Sequence, residues 1–342
     1  EKQINQALNT LERQQGKNNN YYAIGLNNKA MLFQKIGRYA EAEKLMQESL
    51  DIALESMRER SNNYQRLLVN LALLYQDQQK YEQADKIYAQ AIRLKERRLG
   101  NRNHPDLAHM LNLQASLYME MGKTEEVEKL LKEALRIYEV KFGKDNPAYA
   151  QTASNLGNFY RIQGRNQEAE TNLKAALDIR LATLGDEHPD FARAQEDMAL
   201  LYWQTGKIKE ASTLFREVIK KSGAFIQTYF PPMSEVEKEK YWDQLRPTYL
   251  RFYAFASQNS SQDPKLLVDM YNAHLATKAI LLSASNKIRQ QILDSKNEDL
   301  IKDYTSWVNL KENLAQLYTY SKDELAEQQI NLDSMENAAN NL

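Results

Sequence analysis

Three stretches of this chain say nearly the same thing. Leu99–Ala108 reads LGNRNHPDLA, Phe142–Ala150 reads FGKDNPAYA and Leu184–Ala192 reads LGDEHPDFA. Their prolines, Pro105, Pro147 and Pro189, are 42 residues apart each time. Thirteen residues after each proline stands a tyrosine (Tyr118, Tyr160, Tyr202). The same register, carried towards the N-terminus, meets Tyr75 and Phe33, with one extra residue in the loop between Gly100 and Pro105. A period of this length constrains the fold more than any other feature. It marks supersecondary units that cannot bury an apolar face alone and must stack on their neighbours.

The match deepens around each aromatic. Three residues before it stands a small residue: Ala30, Ala72, Ala115, Gly157, Ala199. Four after it stands a turn residue: Gly37, Gln79, Gly122, Gly164, Gly206. Nine after it comes a second small residue, broken once by Val127, and thirteen after it a large apolar one: Met46, Tyr88, Leu131, Leu173, Phe215. Small residues let two helices approach closely, and glycine supplies the left-handed turn between them. Each unit therefore reads as a helical hairpin. Proline starts each new helix at its first turn, and the glycine upstream ends the previous one. His104 and His188 are expected to be exposed loop residues. They lie two units apart, too far to share a metal ion. With only 11 glycines and 7 prolines in 342 residues, long helices are expected and strands are not.

This pattern resembles the tetratricopeptide repeat, and more closely the 42-residue variety of kinesin light chains. Asn70–Ile92 (NLALLYQDQQKYEQADKIYAQAI) and Asp197–Ile219 (DMALLYWQTGKIKEASTLFREVI) carry the resemblance, and Gln79 departs from it where glycine is usual. It implies an all-α fold: an α-solenoid wound as a right-handed superhelix, followed here by a long-helix bundle. Residues 1–20 are expected to be the second helix of an incomplete leading unit, so that the chain begins inside a larger array. Residues 21–222 would form five units, 223–262 an aromatic-rich junction and helix, and 263–342 the bundle.

In such a superhelix the first helices line the concave face. The inward positions then include Arg66, Asn70, His109, Asn112, Asn155, Asn158, Arg161, Arg193 and Trp203. Asn28, Asn70 and Asn155 share one position, with Asp197 there in the fifth unit. Asparagine is a poor helix former, so its recurrence needs a cause. Two readings stand open: a ladder of amides bonding the backbone of an extended peptide, or amides bonding between adjacent helices. Trp203 likewise reads as a groove anchor or as packing.

After Lys221 the period ends. Gly223 and the pair Pro231-Pro232 break it, Ser234 with Glu237 forms a capping box, and Pro247 is expected to kink or divide the helix that follows. Asp263-Pro264 opens a long helix to about Leu293. Another runs from about Glu298 to Tyr320, and Ser321 with Glu324 caps a last one. Met270–Leu317 resembles the helical segment that precedes the peptidase domain of bacterial TPR–CHAT proteins, which are caspase-like. Tyr271, Leu275, Lys278, Leu281, Leu282, Arg289 and Tyr304 fit that pattern, and Ala279 departs from it. The resemblance implies a recognition and regulatory region whose CHAT peptidase domain, a downstream partner, would follow Leu342. Lys278 is expected to be a helix-surface lysine.

Composition excludes several alternatives. The formal net charge is −1, with 45 basic and 46 acidic residues. Without a basic excess, direct nucleic-acid binding is not expected. No run of about 18 apolar residues spans a membrane, and the N-terminal residues carry no secretory signal pattern, so the protein is expected in the cytoplasm. There is no cysteine, hence no disulfide, thiolate metal site or cysteine nucleophile in this chain. No phosphate loop, metal cluster or nucleophile–base pair is visible. The chain itself is therefore expected to be no enzyme, to need no cofactor or metal, and to bind a protein or peptide in its groove. A kinesin-light-chain-like cargo adaptor and a bacterial peptide-pheromone receptor are the rival readings.

Overall fold

A computed structural model describes residues 2–57, 61–230, 233, 235–317 and residues 330, 331, 334, 335 and 339. Among them all regular structure is helical. After α1 (Lys2–Gln15) come five antiparallel pairs: α2 (Asn20–Lys35) with α3 (Tyr39–Met57), α4 (Asn62–Asp77) with α5 (Tyr81–Leu99), α6 (Pro105–Glu120) with α7 (Thr124–Phe142), α8 (Pro147–Ile162) with α9 (Asn166–Leu184), and α10 (Pro189–Gln204) with α11 (Ile208–Tyr229). Every first helix has 16 residues, and every second helix has 19 until α11, which has 22.

The loop chemistry accounts for this regularity. Pro105, Pro147 and Pro189 sit in the first turn of their helices. The residue before each proline is the N-cap, and its side chain accepts from the backbone N–H two residues on. Asn146 Oδ1 takes the N–H of Ala148 at 2.9 Å, and the Nδ1 atoms of His104 and His188 take those of Asp106 and Asp190 at 3.1 Å. The two histidines are thus caps as well as loop residues, doing what asparagine does in the homologous turn. Inside each unit the turn glycine has positive φ, and Gln79 adopts the same left-handed conformation at φ 58°. The residue after it donates its N–H to the carbonyl of the unit's aromatic: Arg38 to Phe33, Lys80 to Tyr75, Lys123 to Tyr118, Arg165 to Tyr160 and Lys207 to Tyr202, all at 2.8–2.9 Å. This is the terminal hydrogen bond of a Schellman turn.

Those five residues are all cations, and each lies over the ring of its own unit's aromatic. Each of the last four also reaches back to a carboxylate ten residues beyond the previous aromatic. Lys80 meets Glu43 at 2.9 Å, Lys123 meets Asp85 at 3.6 Å, Arg165 meets Glu128 at 2.6 Å and Lys207 meets Glu170 at 3.1 Å. The hydroxyls of Tyr118 and Tyr160 donate to the same Asp85 and Glu128, at 2.9 Å each. Hydrogen bonds from Arg165 and Lys132 hold the Glu128 carboxyl down at about 2, and burial together with Asp85 pushes the Tyr118 hydroxyl up to about 12. A cation, a ring and an acid thus clasp each unit to the one before it. In the fifth unit the acid position is Ser212, which is buried with an unpartnered hydroxyl.

The core is made at the same positions. Ala30, Ala72, Ala115 and Ala199 are fully buried against the second helices. At Gly157 the approach is closer still: a Cβ there would stand 2.7 Å from Leu173 Cγ and 3.1 Å from its backbone nitrogen. One continuous cluster runs from Ala23 to Tyr138, and another gathers Ala115, Val127, Leu131, Leu156, Tyr160, Leu173 and Met198.

The chain divides into two compact units, Glu1–Val218 and Ile219–Leu342. The division falls inside α11, a few residues before the boundary expected at 222. Gly223, where the period ends, lies inside the helix: α11 continues to Tyr229. The second unit holds α12 (Glu235–Asn259), α13 (Lys265–Asp294) and α14 (Glu298–Leu317). Pro247 lies within α12 without dividing it. Tyr249, Phe252, Phe255 and Ala256, buried just beyond the proline, offset the lost backbone bond. Asp263 caps α13, its Oδ1 accepting the N–H of Lys265 at 3.2 Å. The capping pair at Ser234 and the last helix expected after Ser321 fall outside the described residues.

Candidate functional site

The first helices of the pairs form one face of the array, because they touch each other directly: α2 with α4, α6 with α8, and α8 with α10. Positions nine, six and five before the aromatic, two before it and one after it lie along that face. They hold the residues singled out from the sequence.

Those residues divide into three groups. Arg66 and His109, both nine before their aromatic, are exposed and meet no partner among the described residues. Arg193, at the same position in the fifth unit, is exposed but pairs with Asp190 at 3.4 Å. The amides are tied between helices. Asn70 Nδ2 donates to Asn27 Oδ1 at 3.1 Å, and Asn155 Nδ2 donates to Asn112 Oδ1 at 3.1 Å. Asn112 Nδ2 donates to Thr152 at 2.9 Å, while Asn158 accepts from Arg161 Nε at 3.2 Å and bonds to Asp197. Trp203 is half-buried and sets its ring edge-on to Phe215, 6.4 Å between centroids.

The asparagine rungs have a simple rule. The amide six residues before one aromatic pairs with the amide five before the next. Where Val69 occupies the first position, Leu113 occupies the second, so the rung between the second and third units is apolar. At the last junction Ser154 accepts from Arg180 at 3.2 Å, and Arg180 also donates to Gln151 at 2.8 Å. Burial lowers the Arg180 guanidinium's affinity for its proton, and burial raises the Asp197 carboxyl against the opposing pull of Asn158 and Arg180. Neighbouring units are also linked along the rim: Gln34 donates to Asp77 at 2.7 Å, and Gln204 to the Arg161 carbonyl at 2.8 Å.

Sequence reasoning passed over the clasp, although its signal is plain in the columns: a cation five residues after every aromatic, and an acid ten after every one but the last. It also passed over the pairing rule for the rungs. No His, Asp or Glu cluster suited to a metal occurs among the described residues, and no helix among them is long and apolar enough to cross a membrane. The face can offer hydrogen-bond donors, two unpaired basic side chains and a partly open indole.

Comparison with known proteins gives the same architecture. Sequence profiles of the tetratricopeptide repeat match residues 24–56, 64–139 and 148–221. No curated protein sequence matches the chain. Among solved structures, the nearly identical TPR-like repeats of a Podosopora anserina kinesin-light-chain candidate superpose with a TM-score of 0.50 at 22% identity, covering 58% of this chain and 94% of that one. BtubC (BKLC) from P. vanneervenii superposes with a TM-score of 0.56 at 21% identity, covering 65% and 87%. Arrays of this kind generally act as protein-binding scaffolds rather than catalysts. The repeat profiles together span more than half of the sequence, and on the helical pairs, Schellman turns and stacking described above, the chain belongs to the tetratricopeptide-repeat proteins.

Proposed function

We propose that this protein is a cytoplasmic protein- or peptide-binding scaffold whose ligand lies along the face of the first helices. The observation that carries the reading is the contrast on that face. Its acids and most of its amides are engaged within the array, whereas Arg66 and His109 present donors with no partner among the described residues. Polar groups left free on a rigid face bind at small ordering cost, and the clasps and rungs provide the rigidity. Arg66, His109, Arg161, Arg193 and Trp203 would make the side-chain contacts. Asn155 and Asn158 would add donors their bonds leave unused, whereas the Nδ2 groups of Asn70 and Asn112 each already meet two acceptors. Selection of a random peptide library on the purified chain tests this. Selected peptides should bind the Arg66→Ala/His109→Ala variant at least tenfold more weakly; equal binding would overturn the assignment of the face.

The finer reading is that the scaffold is the recognition and regulatory region of a caspase-like CHAT peptidase. Its support is the resemblance of Met270–Leu317 to the helical segment of such proteins. Reading the gene past the codon for Leu342 decides it. A histidine- and cysteine-bearing peptidase domain supports the reading, and any other continuation overturns it and leaves the cargo-adaptor and peptide-pheromone-receptor readings.

A further inference from the structure

The second unit shows a surface that neither the repeats nor the inner face explains. Helix α13 buries Leu266, Ala273 and Thr277 on one side. On the opposite side Leu267, Val268, Tyr271 and Leu275 are 45%, 58%, 60% and 45% exposed. At 100° per residue these four fall within one stripe about a third of the helix circumference wide. A helix that is apolar on both sides is one that is covered on both sides.

The charges around the stripe say what covers it. Lys278 continues it at one end, and Lys265 flanks it at the other. Both lysines are exposed, and neither side chain has a partner among the described residues. The nearest acids are engaged: Asp263 caps the helix, and Asp269 has a partner of its own. Over the described side chains, from Lys265 to Lys278, the surface is therefore apolar with a lysine at either end. A second copy laid against it would set lysine against lysine whether the helices ran parallel or antiparallel. Two lysines are too few for an anionic membrane surface, which calls for clusters of about 4–8.

We propose that this stripe is the docking surface for an acidic amphipathic helix of a partner protein. The partner's apolar residues, spaced three and four apart, would pack between Leu267 and Leu275, with Tyr271 as the central anchor. Its carboxylates would meet Lys265 and Lys278. This surface is independent of the face of the first helices, and its test does not involve that face.

Two labelled synthetic helical peptides serve as probes on the full chain, both with leucines at helical spacing, one flanked by glutamates and the other by lysines. By fluorescence anisotropy the glutamate peptide should bind and the lysine peptide should not. Tyr271→Ala should weaken binding at least tenfold. Lys265→Glu with Lys278→Glu should weaken the glutamate peptide as much and let the lysine peptide bind in its place. All three substituted side chains are exposed, so an unchanged helical circular dichroism spectrum is expected of each variant. Equal binding of both peptides, binding indifferent to the substitutions, or no binding would each overturn the proposal. So would a concentration-dependent dimer abolished by Tyr271→Ala, or attachment to phosphatidylserine vesicles lost in that variant.

Discussion

The hydroxyl of Tyr160 donates to the carboxylate of Glu128, 32 residues earlier, at 2.9 Å, while Arg165 lies over the tyrosine ring and grips the same carboxylate. With Lys132, which meets the same carboxylate at 2.6 Å, three side chains from two units share one acceptor. Repetition of this arrangement along the array, with Lys80, Lys123 and Lys207 in the place of Arg165, gives each unit a polar lock on its predecessor besides the apolar core.

The first prediction follows from the acid. In the fold Glu128 stays ionised down to about pH 2, whereas its ordinary value is 4.5. The unfolded chain takes up the proton first as the pH falls. Glu128 therefore contributes stability in full above about 4.5, and that contribution fades as pH drops towards 2. Because its partner Arg165 is partly exposed, solvent screens the interaction, and about 1 kcal/mol is expected at neutral pH. Glu128→Gln should lower the urea midpoint at pH 7, and the gap from wild type should close between pH 4.5 and 2. A gap of constant size at all pH values would show that the charge is not what matters.

How much of this was open to reading from the sequence differs from residue to residue. The period is written in Pro105, Pro147, Pro189 and the aromatics, because turn geometry tolerates few residue types there. The small residues at 30, 72, 115, 157 and 199 were equally plain, because helix approach excludes anything larger. The role of Asn70 was not, since one amide column fits a ligand ladder and an inter-helix bond alike. The partner column carries the further signal: Asn27 bonds Asn70, Asn112 bonds Asn155, and the corresponding positions at the next junction are Val69 and Leu113. Histidine capping at His104 and His188 depends on which ring nitrogen turns inward, which no spacing reveals. Local punctuation says little about where α11 and α12 end, because Phe230, Tyr249, Phe252 and Phe255 bury their rings beyond Gly223 and Pro247.

A second prediction concerns Gln79. Its φ of 58° costs an L-residue roughly 1–2 kcal/mol that glycine avoids. Glycine returns part of this gain through its freer unfolded state. Gln79→Gly should therefore stabilise the protein by about 0.5–1 kcal/mol. It would also bring the second unit into line with Gly37, Gly122, Gly164 and Gly206. Thermal unfolding checks this; a lower midpoint would mean that the glutamine side chain contributes something the turn does not show.

The third prediction runs against helix propensity. Gly157→Ala adds a better helix former at a position where four other units already carry alanine. Yet the new methyl would stand 2.7 Å from Leu173 Cγ and 3.1 Å from its backbone nitrogen. The backbone atom cannot turn aside as a side chain can. Overpacking of this kind costs about 1–3 kcal/mol, more than the propensity gain of about 1. A net loss of about 1 kcal/mol is expected in chemical denaturation, recovered in part by Leu173→Val.

The last prediction uses the array as its own control. Asn27 and Asn70 meet at 3.1 Å, and their counterparts one unit on, Val69 and Leu113, fill the same place with methyl groups. Asn27 is only 3% exposed, so removing its partner alone strands an amide away from water. Asn70→Leu should therefore cost about 1–3 kcal/mol, and Asn27→Val alone a similar amount. The double variant, which copies the neighbouring junction, should recover most of that loss, because neither polar group remains to be satisfied. A favourable coupling of about 1 kcal/mol or more in the double-mutant cycle would establish the rung as an inter-helix bond. Strictly additive losses would instead return Asn70 to the open face, free to meet a ligand, and would reopen the amide ladder as a binding device.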